Sequence, residues 1–193
     1  MNQIDRAVEV LKQGGVIAYP TDTVYGIGCD ILNEKAVRKV FELKGRDFSK
    51  PMSIACVDIA MAKKYISMKK YDDLSAIIER VSHLLPGPYT IILPKNSRIS
   101  DLITAGPKMV GIRIPDNKLC LSIIKKFGQP IITTSANLSG EPDIKKYEDI
   151  ILSVDFIVKG KCKYEQPSTI FDPINKKILR RGVGLNQIKK LLI

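Results

Sequence analysis

Short unbroken apolar runs alternate along this chain with stretches whose apolar residues recur at helical spacing, and no other feature constrains the fold as much. Residues 16–19 (VIAY) are apolar throughout and end at Pro20, the pattern of a strand buried on both faces. Helical stripes lie on either side. Ile4, Ala7, Val8 and Leu11 recur at i, i+3, i+4 and i+7 behind a cap at Asn2 and ahead of Gly14-Gly15. Ala36, Val37, Val40 and Phe41 follow Asn33 and run into Lys44-Gly45, a good helix terminus. A third stripe through Leu74, Ile77, Ile78, Val81, Leu84 and Leu85 is stopped by Pro86-Gly87-Pro88, and a fourth runs through Leu119, Ile123, Ile124 and Phe127. Further strands are expected at residues 53–57, where Asp58 then caps a short helix, and at 89–93, 109–114, 130–134, 156–158, 168–171 and 177–179. Alternation of this kind predicts an α/β domain, a mixed sheet covered by helices. At 193 residues the chain fits a single domain, large enough to bury roughly 70% of its unfolded surface without disulfides or metal.

Composition excludes several classes of chemistry. There is one histidine, His83, off its helical stripe and therefore expected in solvent. The four cysteines, Cys29, Cys56, Cys120 and Cys162, form no CxxC pair. A structural zinc site or a histidine-based triad is thus not expected, and the cysteines read as small buried hydrophobes. The opening MNQIDRAVEVLKQGG has no apolar leader region, and no run approaches the ~18 apolar residues of a membrane span. These observations predict a cytoplasmic protein with reduced thiols. The one departure is charge: 31 Lys and Arg against 20 Asp and Glu give +11, which points to an anionic partner without saying which kind. The cations come in scattered pairs rather than runs, the pattern of solvated helix faces and turns.

Four segments carry polar residues where a packed core does not ask for them. In residues 19–28, YPTDTVYGIG, the glycines permit close backbone approach, and Thr21, Thr23 and Tyr25 offer hydroxyls after a buried strand, where α/β sheets place ligands. A glycine-rich structural turn reads equally well, and the third glycine of a dinucleotide fingerprint is missing. In residues 44–51, KGRDFSKP, Lys44 and Arg46 flank a glycine in a way that suits a pincer on phosphate oxygens, both lining a surface. The competing reading is a solvated turn complementing a helix C-terminus, and no P-loop sequence is present. Residues 133–140, TTSANLSG, string together side chains that favour loops contacting something polar, or plain Ser/Thr turns. In residues 111–115, GIRIP, Arg113 alternates with apolar neighbours and either reaches solvent at an edge or lines a cavity.

Taken together the segments resemble the YrdC-like threonylcarbamoyl-AMP synthase family. The resemblance is carried by PTDTVYGIGCD at 20–30, KGRDFSKPMSI at 44–54, LLPGPYTIILP at 84–94, GIRIP at 111–115, TTSANLSG at 133–140, PSTIFD at 167–172 and LRRG at 179–182. It implies one YrdC-like domain over 1–193, matching the family's short form: a twisted, mixed, open sheet with helices packed around it and a basic concave cavity. It implies a nucleotidyltransferase that makes L-threonylcarbamoyl-AMP and pyrophosphate from L-threonine, bicarbonate or CO₂, and ATP, beginning the synthesis of N6-threonylcarbamoyladenosine in tRNA. Lys44, Arg46, Ser135 and Asn137 take the family's KxR and SxN positions around the nucleotide phosphates, joined by Lys50 and Arg180. Thr23, Tyr25, Arg113, Thr133 and Ser168 take positions toward L-threonine, with Arg113 on its carboxylate. Mg²⁺ is expected with ATP, with no dedicated metal site. Downstream tRNA threonylcarbamoyl-transfer proteins are the expected partners. Two alternatives share the fold: an RNA-binding module, suggested by the charge, and a carbamoyltransferase relative using carbamoyl phosphate.

Overall fold

The structure, a computed structural model, describes residues 1–69, 71–106 and 108–191. In chain order its elements are α1 (Gln3–Lys12), β1 (Ile17–Pro20), β2 (Tyr25–Gly28), α2 (Glu34–Leu43), β3 (Ser53–Ala55), α3 (Ile59–Lys63), α4 (Leu74–Ser82) and β4 (Tyr89–Pro94), then α5 (Asp101–Thr104), β5 (Met109–Arg113), α6 (Lys118–Phe127), β6 (Ile131–Ser135), a 3₁₀ turn (Tyr147–Asp149), β7 (Phe156–Ile157), β8 (Thr169–Asp172), β9 (Lys177–Arg180) and α7 (Leu185–Leu191).

The helices begin where side chains can satisfy their first free N–H groups. Asn2, Asn33, Asp58 and Asn117 each accept a hydrogen bond from the first turn of α1, α2, α3 and α6. The end of α2 is a Schellman closure: Arg46 N–H donates to Phe41 O at 2.9 Å and Gly45 N–H to Glu42 O at 3.0 Å, with Gly45 at φ +54. That turn later decides where Lys44 and Arg46 point.

The strands form one open, mixed sheet in the order β7-β1-β2-β6-β3-β5-β4-β8-β9. The β7/β1, β3/β5 and β4/β8 pairs are parallel and the others antiparallel. Both faces of its middle are covered, which is why its strands read as unbroken apolar runs. Ile17, Tyr19, Ala55 and Ile131 pack with Ala7, Val8 and Leu11 of α1 and Cys120, Ile123 and Ile124 of α6. Their immediate neighbours Ala18, Ile54 and Ile132 belong to the larger core on the opposite face, with Val37, Val40 and Phe41 of α2. Among the described residues no helix is long and apolar enough to cross a membrane.

The fold class and the expected strands and stripes are present, with ends shifted by up to three residues. The structure adds β2, α5 and α7. Residues 25–28 carry two glycines and read as a loop, yet they form a strand between β1 and β6. The reason is tertiary: a Cβ on Gly28 would lie 2.2 Å from Ile132 O, so glycine lets two backbones meet there.

Candidate active site

Strands β2, β6, β3, β5, β4, β8 and β9 all contribute residues to one cleft, which encloses ≈ 680 Å³ of space open to solvent. Eight of the eleven residues singled out from the sequence line it: Thr23, Tyr25, Arg46, Arg113, Thr133, Ser135, Ser168 and Arg180. Lys44, Lys50 and Asn137 do not. Thr133 and Ser135 fall on the same face of β6 because side chains alternate along a strand, and their cross-strand neighbours are Ser53 and Gly26. Gly111 of β5 lies between Ser53 and Thr90, which line the cleft. A Cβ there would lie 2.4 Å from Ser53 Oγ and 2.9 Å from Thr90 Cγ2, so the glycine leaves room for hydroxyl-bearing side chains from both neighbouring strands.

Arg113 resolves its two readings in favour of the cavity. Its Nη2 donates to Asp22 Oδ1 at 2.7 Å and its Nη1 to Thr23 Oγ1 at 3.0 Å. Thr23 Oγ1 lies 2.9 Å from Thr21 Oγ1, which donates to Val24 O at 2.7 Å. Asp22 is fully buried, and its carbonyl accepts from Lys163 N–H and Tyr164 N–H, binding the 160–167 segment to the cleft wall. Two of the five guanidinium N–H groups are thus engaged and three remain; Nε is buried without a partner, as is Asp22 Oδ2. Sequence reading passed over Asp22, although a signal existed. A carboxylate directly after a doubly buried strand requires a cation, and Arg113 is the cation set among apolar residues.

The glycine between Lys44 and Arg46 sends them to different places, so they do not form the expected pincer, and only Arg46 lines the surface. Lys44 is 2% exposed. Its Nζ donates to Ser135 O and, at 2.6 Å, to Asn137 O, with Asn137 Oδ1 at 3.4 Å. Ser139 N–H returns a bond to Lys44 O at 2.8 Å. Lys44 is therefore a strut that pins the 135–139 loop to the end of α2. Burial lowers its pKa to about 8, and the charge of Arg46 adds to the shift. Arg46, half-buried in the cleft wall, donates from Nε to Lys50 O at 3.2 Å and from Nη2 to Pro51 O at 2.9 Å. Burial lowers its pKa too. The Lys50 side chain is exposed at the rim, and its backbone carbonyl is what the site uses. Asn137 is buried behind Ser135, where its Nδ2 donates to Glu141 O.

Tyr25 lines the cleft, but its hydroxyl is taken up elsewhere. The phenol donates toward Val158 O (3.1 Å) and Gly160 O (2.9 Å) and accepts from Gly160 N–H at 2.8 Å. Burial pushes its pKa up to about 12. Ser168 is likewise engaged. Its Oγ lies 2.8 Å from Thr90 Oγ1 and accepts from Arg180 Nη2 at 2.9 Å, while Ser168 O accepts from Arg180 Nε at 3.0 Å. Ser168 thus aims Arg180 into the cleft, and burial lowers the pKa of that guanidinium.

The chemistry available is binding and charge compensation. Burial pushes the thiols of Cys56 and Cys120 up to about 12 and Cys162 to about 11, with Cys29 higher still, so none is a thiolate at neutral pH. His83 caps α4 in solvent, away from the cleft residues. Three arginines and a row of hydroxyls face a single lining carboxylate, Asp143, which sequence reading also missed. The site suits an anionic ligand with a nucleophile of its own.

The model of the Sua5/YciO/YrdC family, described as "Telomere recombination", matches residues 9–182. The chain belongs to this family. Every candidate residue, from Thr23 to Arg180, lies within the matched span. A relative from Methanocaldococcus jannaschii, provisionally named a threonylcarbamoyl-AMP synthase, is 40% identical over 96% of this chain and 89% of its own length. A Vibrio vulnificus threonylcarbamoyl-AMP synthase is 33% identical over 94% of this chain and its entire length. Among solved structures, P. abyssi Sua5 complexed with L-threonine superposes with a TM-score of 0.87 at 30% identity. That alignment covers 97% of this Sua5/YciO/YrdC-family chain and 56% of the P. abyssi chain.

Proposed function

We propose that this chain is an L-threonylcarbamoyladenylate synthase, which makes L-threonylcarbamoyl-AMP and pyrophosphate from L-threonine, bicarbonate or CO₂, and ATP, the first step toward N6-threonylcarbamoyladenosine in tRNA. The observation that carries the reading is a cleft lined by three arginines and a row of hydroxyl groups, with Asp143 as the single carboxylate among its lining residues. The reaction matches that inventory, because the substrate supplies the nucleophile. The amino nitrogen of threonine bonds to the carbon of CO₂ and releases a proton, giving a carbamate. A carbamate oxygen then bonds to the α-phosphorus of ATP as the bond to the bridging oxygen breaks, and the electron pair leaves with pyrophosphate. The protein's contribution is to hold the two substrates in line and to offset the charge that develops.

In this reading the remaining N–H groups on the terminal nitrogens of Arg113 receive the threonine carboxylate, with Thr23 and Thr133 beside it. Arg46 and Arg180 face the nucleotide phosphates with Ser135, and Lys50 adds charge from the rim. Lys44 and Asn137 act from behind, fixing the loop that presents Ser135. Tyr25 and Ser168 hold the walls through the bonds described above. Among the described residues no three His, Cys, Asp or Glu side chains gather to hold a resident metal. In this reading Mg²⁺ would arrive with the nucleotide and would supply charge neutralisation for the leaving pyrophosphate. Threonylcarbamoyl-AMP is a mixed anhydride, so the reading calls for downstream proteins that accept it and transfer the group to tRNA.

The test is pyrophosphate release by the pure protein with ATP, Mg²⁺, L-threonine and bicarbonate. Release that requires both threonine and bicarbonate supports the synthase. Release independent of either one sinks it, and turnover with carbamoyl phosphate instead moves the chain to the carbamoyltransferase class. An RNA-binding module would show no turnover and a steep loss of RNA affinity with salt.

A further inference from the structure

Asp143 is the one carboxylate among the residues lining the cleft, and nothing in the reaction as described uses it. Its backbone is held on both sides. Asn137 Nδ2 donates to Glu141 O, and Tyr25 N–H donates to Ile144 O at 2.8 Å. The segment bearing Asp143 is therefore fixed to the loop that follows Ser135 and to Tyr25 at the start of β2. Asp22, the other acid nearby, is consumed by Arg113. The carboxylate of Asp143 makes no hydrogen bond and no ion pair among the described residues. Its charge is felt by Lys44 and by Arg180, favouring the ionised form of each, which places it between the α2 turn and β9.

Those two elements carry the cations assigned above to the nucleotide, so a polyphosphate bound there meets a fixed negative charge. Carboxylate and phosphate repel unless something positive lies between them. The cations around Asp143 are long side chains already aimed by other bonds: Lys44 at two carbonyls, Arg180 at Ser168, Arg46 at Lys50 and Pro51. A divalent ion bridging carboxylate and phosphate oxygens resolves the conflict, and one carboxylate together with substrate phosphates is the usual way a protein holds Mg²⁺. We propose that Asp143 is the protein's ligand, directly or through one water, to the divalent ion carried by the nucleotide, so that the cleft selects the metal-bound over the metal-free form. The proposal rests on the nucleotide reading of the cleft.

The experiment is calorimetric binding of a non-hydrolysable ATP analogue to the full chain and to Asp143→Asn and Asp143→Ser, once with saturating Mg²⁺ and once with EDTA. Thermal unfolding checks that each variant is folded. Both are expected to fold, because the side chain they replace is half-buried and uncommitted. The expected result has opposite signs. Affinity for the Mg²⁺ complex falls at least tenfold, whereas affinity for the metal-free nucleotide rises several-fold as the repulsion is removed. Equal weakening of both forms assigns Asp143 to a ribose or base contact and overturns the proposal, as does no change in either. A wild-type chain that binds the analogue in neither condition overturns the nucleotide reading itself. A chain that binds, with variants that track it in both conditions, overturns the metal role alone.

Discussion

The ion pair between Asp22 and Arg113 offers the sharpest test of how this site is held. Its side chains are 0% and 8% exposed and meet at 2.7 Å, so removing one partner strands a charge where water reaches poorly. Breaking a buried pair this way costs about 3–5 kcal/mol, far more than the pair itself is worth relative to apolar residues. Asp22→Asn preserves shape and the Oδ1 acceptor while removing the charge, so no cavity confuses the result. Because one face of Arg113 opens on the cleft, the lower end applies, about 3 kcal/mol, which corresponds to a fall in Tm of roughly 6–12 °C for a chain of this size. Arg113→Met keeps the aliphatic stem and strands the carboxylate instead, with a cost at least as large.

The informative quantity is the double variant. If the cost of each single change is a stranded charge, the two together cost less than their sum by about 2–3 kcal/mol, measured by urea unfolding of all four proteins. Threonine KM should rise sharply in Asp22→Asn, since the carboxylate that orients Arg113 has lost its charge. The exposed Arg6–Glu9 pair, 48% and 40% exposed, is the control; Glu9→Ala should stay within about 1 kcal/mol. Single effects that add to within about 0.5 kcal/mol would refute the reasoning, because residues that depend on each other for charge compensation cannot behave as independent sites.

Two further outcomes follow from residues whose roles the structure changed. Tyr25→Phe removes a hydroxyl engaged with Val158 and Gly160, so it should lower stability by about 1–2 kcal/mol in urea unfolding while leaving pyrophosphate release within a few-fold of wild type; a large loss of turnover at full stability would return the hydroxyl to the substrate. Lys44 has its pKa lowered from 10.5 to about 8, so its ammonium, costly to bury, lowers stability below pH 8, and that cost is relieved as pH rises from 8 toward 10.5. The urea midpoint of the wild type should therefore climb relative to Lys44→Met across that window, and nucleotide affinity should decline across it as positive charge leaves the site; a pH-independent difference between the two proteins would mean that Lys44 titrates normally.

What could be read from the sequence was whatever depends on neighbours. Helix caps and stripes are matters of three or four residues, and Asn2, Asn33 and Asp58 sit where their spacing places them. Unbroken apolar runs marked strands because both faces of the sheet are covered. What stayed hidden depends on partners far along the chain. Gly28 looks like a turn residue until Ile132 is known to lie against it. Asp22 looks like one more polar group in a loop until Arg113, 91 positions away, is brought to it. The KxR spacing marks Lys44 and Arg46 together, yet it cannot say which of the two cations enters the cleft. That depends on Gly45 at φ +54, which turns Lys44 inward and Arg46 toward the cleft.

The inward turn of Lys44 belongs to a wider pattern. Lys44, Asp22, Asn137 and Ser168 are all buried polar groups, and each holds a segment or side chain that faces the cleft: Lys44 and Asn137 hold the loop after Ser135, Asp22 holds the Arg113 side chain, and Ser168 holds the Arg180 side chain. An enzyme that supplied its own nucleophile would have to leave one reactive group free and tune it. This cleft has no such group, so most of its polar side chains can be spent on fixing the positions of a few arginines. Its activity is therefore tied to its stability. Substitutions at these four residues should lower both together, whereas Lys50, exposed at the rim with only its carbonyl engaged, is the position where the two can be separated.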